Sequence, residues 1–168
     1  MALPFILRNF AVHLDGTPKF GEGEECKIPA LKIKTEEFRG GGMDIPILLD
    51  LGMEALEIEF KLFSIDNQVY TLFGKAPGQL VPLTFRGHLV GENGADRAVI
   101  VNTRTLLTSI EPGAWTAGAK TEITVQGNPH YLKIRHGEQN LVEIDPNNGV
   151  RIINGEDQLS RMRVNLGF

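Results

Sequence analysis

Residues Leu56-Glu57-Ile58-Glu59-Phe60-Lys61-Leu62 alternate apolar and charged side chains without a break. Successive side chains on a strand point to opposite faces, so this run has one dry face and one wet face, a pattern that a helix cannot use. Leu83-Thr84-Phe85-Arg86, Glu122-Ile123-Thr124-Val125-Gln126 and Tyr131-Leu132-Lys133-Ile134-Arg135 repeat it, and Leu31 to Thr35 alternates lysine with aliphatic residues. Turn residues separate the runs at Asp15-Gly16, Gly91-Glu92-Asn93-Gly94, Gly127-Asn128-Pro129, His136-Gly137 and Pro146-Asn147-Asn148-Gly149. The chain is β-rich.

Two short helices are expected. Ser64 is placed to cap one that runs through Ile65, Val69, Leu72 and Phe73 to a stop at Gly74, and a second runs from about Asp157 to Met162. No linker, low-complexity tract or solenoid-spaced repeat divides the 168 residues, a length that suits one domain over 1–168. The expected fold is mainly β, a sandwich or small barrel of packed sheets with one flanking helix and a short C-terminal one. Sheets of this kind leave unpaired edges, which are either blunted by proline and charge or used to join another subunit. The long strand expected after the glycine cluster at 40–42 suits the second use, so an oligomer built by sheet extension is expected.

Composition narrows the function. With 42% apolar and 23% charged residues the chain is ordinary for a globular protein. A net charge of -4, an isoelectric point near 5.6 and no basic tract argue against gripping phosphates, leaving only passage of nucleic acid past an acidic surface. A single cysteine, Cys26, supplies neither an internal disulfide nor a multi-cysteine zinc site and reads as a bystander. Met1-Ala2-Leu3-Pro4-Phe5-Ile6-Leu7-Arg8 lacks the pattern of a signal peptide, and no run reaches membrane-span length, so a soluble protein without stable membrane association is expected.

Phe38-Arg39-Gly40-Gly41-Gly42-Met43, followed by Asp50-Leu51-Gly52, is the other conspicuous feature. Consecutive glycines lose much backbone entropy on ordering, so they belong where the chain must bend sharply or be approached closely. The cluster leads into Met43-Asp44-Ile45-Pro46 with no lysine and serine in place and no helix, which argues against a phosphate-binding loop. A flexible hairpin tip and a contact loop spanning about 36–54, with Arg39 and Met43 engaging a neighbour, are the readings that remain. His13, His88, His130 and His136 form no metal-binding spacing; His130 and His136 stand roughly 20 Å apart along an extended strand. Glu57 and Glu59, about 7 Å apart on one strand face, read as a solvated surface rather than a glycosidase pair. No nucleophile elbow is present. No catalytic, cofactor-binding or metal residues are therefore expected.

The segments Thr35-Glu36-Glu37-Phe38-Arg39-Gly40-Gly41-Gly42-Met43-Asp44 and Asp50-Leu51-Gly52 resemble the major tail tube proteins of contractile-tailed bacteriophages and R-type pyocins. So, more specifically, do Glu143-Ile144-Asp145-Pro146, Asn148-Gly149-Val150-Arg151, Ile153-Asn154-Gly155, Asp157-Gln158-Leu159 and Leu166-Gly167 near the C-terminus. The order and spacing of these segments carry the resemblance over nearly the whole chain, with about Gly74 to Trp115 matching only loosely. It implies two packed β-sheets with a flanking helix, a fold shared with the type VI secretion tube protein. It also implies hexameric rings, stacked into a hollow tube inside a sheath, that conduct DNA or puncture a target envelope. Implied partners are further copies of the chain, tail sheath, baseplate or tube initiator, tail terminator and tape-measure protein, with DNA only in passage. The implied location is the virion tail or a pyocin-like particle, assembled in the bacterial cytoplasm. Glu57, Glu59 and Lys61 are the candidates for the lumen, where an acidic lining lets DNA slide. A type VI secretion-like tube or effector component is the alternative, and a small β-barrel enzyme or ligand carrier a more distant one.

Overall fold

The structure, a computed structural model, describes residues 4–168; Met1, Ala2 and Leu3 of the segment considered for export lie outside the described residues. The chain runs through β1 (Phe5–Leu14), β2 (Thr17–Lys19), β3 (Gly23–Lys27), β4 (Ile33–Phe38), β5 (Ile47–Met53), β6 (Ile58–Phe63), α1 (Asn67–Leu72), β7 (Val81–Gly91) and β8 (Asp96–Pro112). It continues through β9 (Glu122–His136), β10 (Gln139–Asp145), a 3-10 turn (Pro146–Asn148), β11 (Val150–Ile153), β12 (Glu156–Asp157) and α2 (Ser160–Leu166).

Alternation sets the layers. Ile58, Phe60 and Leu62 of β6 are buried, while Glu59 and Lys61 between them and Phe63 after them are only half-buried. One sheet order, β12-β11-β10-β9-β8-β7-β1-β2, is joined by β6, which pairs with the first half of β9 and carries β3 on its other side. All of these pairings are antiparallel. β8 and β9 are long enough to serve two layers. Their halves around Leu107 and Gly127 join β6 and β3 in an inner layer; the halves around Val101 and Leu132 join β7, β1 and β10 in an outer one. Register shifts between Arg104/Thr105 and Leu107/Ser109 mark the corner, where extra residues bend the ribbon. The core lies between the layers, with the Phe60 ring against Phe85 edge-on at 5.7 Å, and Val69 and Leu72 of α1 buried in it.

Several local expectations are corrected. Gly127-Asn128-Pro129 is not a turn but lies inside β9. A Cβ on Gly127 would stand 2.4 Å from Thr105 Cγ2 and 2.9 Å from the Leu106 carbonyl oxygen, so the glycine serves close strand approach rather than reversal. Ser64 is not the cap of α1; Asp66 is, accepting the Gln68 N–H at 2.8 Å, while Ser64 takes a left-handed φ of 77°. α2 begins at Ser160, because Asp157 is held in β12 by its pairing with Ile152. No single long strand follows the glycine cluster: β5 and β6 belong to different sheets. Finally, the lysine-aliphatic run enters β4, where both faces are exposed.

Candidate assembly surfaces

β4 and β5 form a two-stranded sheet of their own, with Phe38 opposite Ile47, Glu37 opposite Leu48 and Glu36 opposite Leu49. The triple glycine is its tip. Gly40 C=O accepts the Met43 N–H at 3.2 Å, Gly42 takes a φ of 87°, and the Arg39 Nε donates to the Met43 carbonyl at 3.1 Å. Gly40 N–H points to the Met43 sulfur at 3.3 Å, so Arg39, Gly40 and Met43 brace one turn. Near the root, Gly52 at φ 100° donates its N–H to Asp50 at 2.7 Å, in a bulge that sets Ile33 opposite Met53 and Thr35 opposite Asp50. Apolar side chains line both faces: Phe38, Ile47 and Leu49 on one, Ile33 and Leu48 on the other. Fractional exposures of 68% at Leu48 and 72% at Ile45 put this surface in water. Sequence reasoning bounded the loop at about 36–54 and singled out residues 38–43, but did not name Ile33, Ile45, Ile47, Leu48 or Leu49 as contacts. Their signal is the unalternating run Ile45-Pro46-Ile47-Leu48-Leu49, which makes both faces of a strand apolar.

The inner layer has a polar face turned away from the core. Glu59 lies between Lys27 of β3 and Gln126 of β9, with hydrogen bonds of 2.6 Å and 2.8 Å. These two, Lys27 first, hold its carboxyl below the usual range, and Glu59 in turn raises Lys27. Lys61 pairs with Glu25 at 3.0 Å and is raised by it. Glu57, just before β6, is exposed and makes no ion pair among the described residues. The three lumen candidates thus share one side of the molecule, with Glu59 and Lys61 compensated by charges on β3. Among the described residues two edges of this layer are free: β3 pairs with β6 alone, and β8 beyond Thr105 pairs with β9 alone.

On the far side, the outer layer turns Arg86, Arg104, Lys133 and Arg135 away from the core. Glu143 accepts the Tyr131 hydroxyl at 2.9 Å and lies 3.7 Å from Lys133; burial and then this hydrogen bond push Tyr131 up to about 12. A cleft of about 840 Å³ separates the hairpin root at Met53 and Leu56 from Val150, Leu159 and Met162. Cys26 sits on β3 with its thiol pushed up to about 11 by burial and then by Glu25. Among the described residues no three His, Cys, Asp or Glu side chains converge on a metal-sized site.

An unsupported apolar hairpin, two open edges and two polar faces describe a building block. The family model of the phage tail tube protein FII matches residues 4–167. The chain belongs to that family. Its fellow tail tube proteins include that of Escherichia phage P2, 31% identical over 172 residues that cover 100% of both chains. The major tail tube protein of Serratia phage KSP20 is 29% identical over 147 residues, covering 86% of this chain and 85% of that protein. A chain in the sheath-tube complex of an extracellular contractile injection system, PVC, in the extended state shares the fold. Its TM-score is 0.59 at 11% identity, over 79% of this chain and 91% of that one. This tail tube protein is a structural subunit of a phage-type virion tail.

Proposed function

We propose that the chain acts as one unit over 1–168, assembling into hexameric rings that stack into a hollow tube within a sheath. The hairpin supports this most directly. An isolated two-stranded hairpin is marginal in water, and one with apolar side chains on both faces gains stability only by burying them. A second copy, in the same ring or the next, supplies that surface, with Phe38, Arg39, Gly40, Gly41, Gly42 and Met43 at the contact. Ring closure follows from strand parity. β3, β6, β9 and β8 alternate in direction, so β8 of one copy meets β3 of the next antiparallel and the sheet continues without an edge. Continued around the ring, it turns Glu57, Glu59 and Lys61 toward a lumen. There the compensated pairs and the free Glu57 offer phosphates no net attraction, which suits DNA in passage.

Sheath, baseplate initiator, terminator and tape-measure protein are the remaining partners of this reading, with assembly in the bacterial cytoplasm and no catalytic role. Negative-stain microscopy and sedimentation of the purified protein test it. Hollow tubes of uniform diameter are expected from the native chain, and unassembled folded subunits from Phe38→Ser/Ile47→Ser/Leu49→Ser. A folded native chain that stays monomeric with baseplate seeds present, or normal tubes from the triple variant, would sink the proposal.

A further inference from the structure

The outward face of the outer layer is basic, on a chain whose net charge is -4. Arg86 on β7 and Arg135 on β9 both register with Ile100 of β8, which sets them about 10 Å apart across the sheet. Lys133 lies two residues along β9, and Arg104 stacks on the Tyr131 ring at 5.0 Å one row further on. The resulting patch measures roughly 10 Å by 14 Å. Its acids are occupied: Glu143 is held by Tyr131 and Lys133, Asp145, opposite Tyr131, accepts the Asn148 backbone N–H and side-chain amide, and Asp157 is held by Arg163. Arg86, Arg104 and Arg135 make no ion pair among the described residues, and Arg86 and Arg104 are exposed. An exposed guanidinium without an ion-pair partner matches a carboxylate.

Placement selects the occupant. Phe60 of the inner layer and Phe85 of the outer face each other across the core, so the Glu59/Lys61 face and the arginine face look in opposite directions. If the first lines a lumen, the second points radially outward. We propose that the arginine face is where the surrounding sheath docks, through a segment bearing paired acidic side chains. This rests on the tube reading above. It adds the surface, Arg86, Arg104, Lys133 and Arg135, and the charge of the partner. DNA, confined to the lumen, does not reach this face in an assembled tube.

Arg86 and Arg104 are both exposed, so Arg86→Glu/Arg104→Glu is the variant to make, with Arg86→Ala/Arg104→Ala in its place should the reversal fail to fold. Tubes are mixed with the sheath protein of the same particle and viewed by electron microscopy. Expected are variant tubes of native diameter without sheath, and native tubes that lose their sheath at about 0.5 M NaCl, where surface charges are screened. Variant tubes sheathed like the native ones would overturn the inference, as would a variant that folds but forms no tubes, since the face would then belong to tube contacts. Absence of tubes from the native chain counts against the tube reading instead, and docking is then measured on the soluble chain with a short polyglutamate peptide. Binding to the native chain, weakened at least ~10-fold by the double reversal, is expected. No binding, equal binding by the variant, or tighter binding of single-stranded DNA of equal charge would refute it.

Discussion

At the scale of single residues, charge and burial set chemistry that can be measured. Cys26 carries a thiol raised to about 11, so near pH 8 its thiolate is about 100-fold scarcer than that of an ordinary cysteine. Its reaction with a thiol reagent should slow by a similar factor in the folded chain and recover in urea; fast labelling of folded protein would contradict the burial. Glu59 and Asp157 titrate the opposite way. Lys27 and Gln126 lower the first, and Arg163 and then the Leu159 N–H lower the second. A depressed carboxyl contributes stability above its ordinary pKa and loses it as pH falls through the folded value, so these pairs weaken on acidification. The urea midpoint should fall between pH 7 and about pH 3, and Glu59→Gln should show a smaller fall. An unchanged acid response in that variant would remove Glu59 from the account.

Among the elements, the two long strands and the hairpin carry the architecture. β8 and β9 spell one continuous ribbon, yet their bulges divide it between layers, and Gly127 sits at the division. Gly127→Ala drives a Cβ against Thr105 and the Leu106 backbone and should cost about 1–3 kcal/mol or more in urea unfolding. Gly87→Ala meets only the far end of Leu7, at 2.7 Å, and should cost less because that side chain can rotate away. Equal costs would mean that the corner gives as readily as a side chain. The alternation at residues 58–62 was legible in the sequence because one face meets a core made largely by the same sheet. For β4 the same pattern was legible as a strand, but not the absence of a core beneath it. Burial depends on what lies opposite, and local periodicity carries no record of that.

For the whole molecule, folding and assembly draw on different apolar residues. Phe60 is 1% exposed and packs across the layers, so Phe60→Ala should lower unfolding free energy by about 3–5 kcal/mol. Phe38, Ile47 and Leu49 lie outside that core, and their serine triple variant should leave the urea midpoint near native while changing the sedimentation coefficient of the native assembly. A large loss of stability from the hairpin variant would show that the arm is part of the fold rather than held out for a partner. Similarly, the lumen candidates and the arginine face become two sides of one object only when the ribbon coils over its core.

The sequence by itself determined the strand-rich class, the two short helices to within a few residues, a sharp bend at Gly40 to Gly42 and the family, since these depend on local pattern and on ordered motifs. Tertiary structure alone decided that Gly127 to Pro129 continues a strand, that Lys27 and Glu25 compensate Glu59 and Lys61, and that three arginines from β7, β8 and β9 share a face with no ion-pair partner among the described residues. The physical reason is distance along the chain. Residues 27 and 59, or 86 and 135, meet only through strand register, and register is set by the packing of the whole sheet rather than by any window of neighbours.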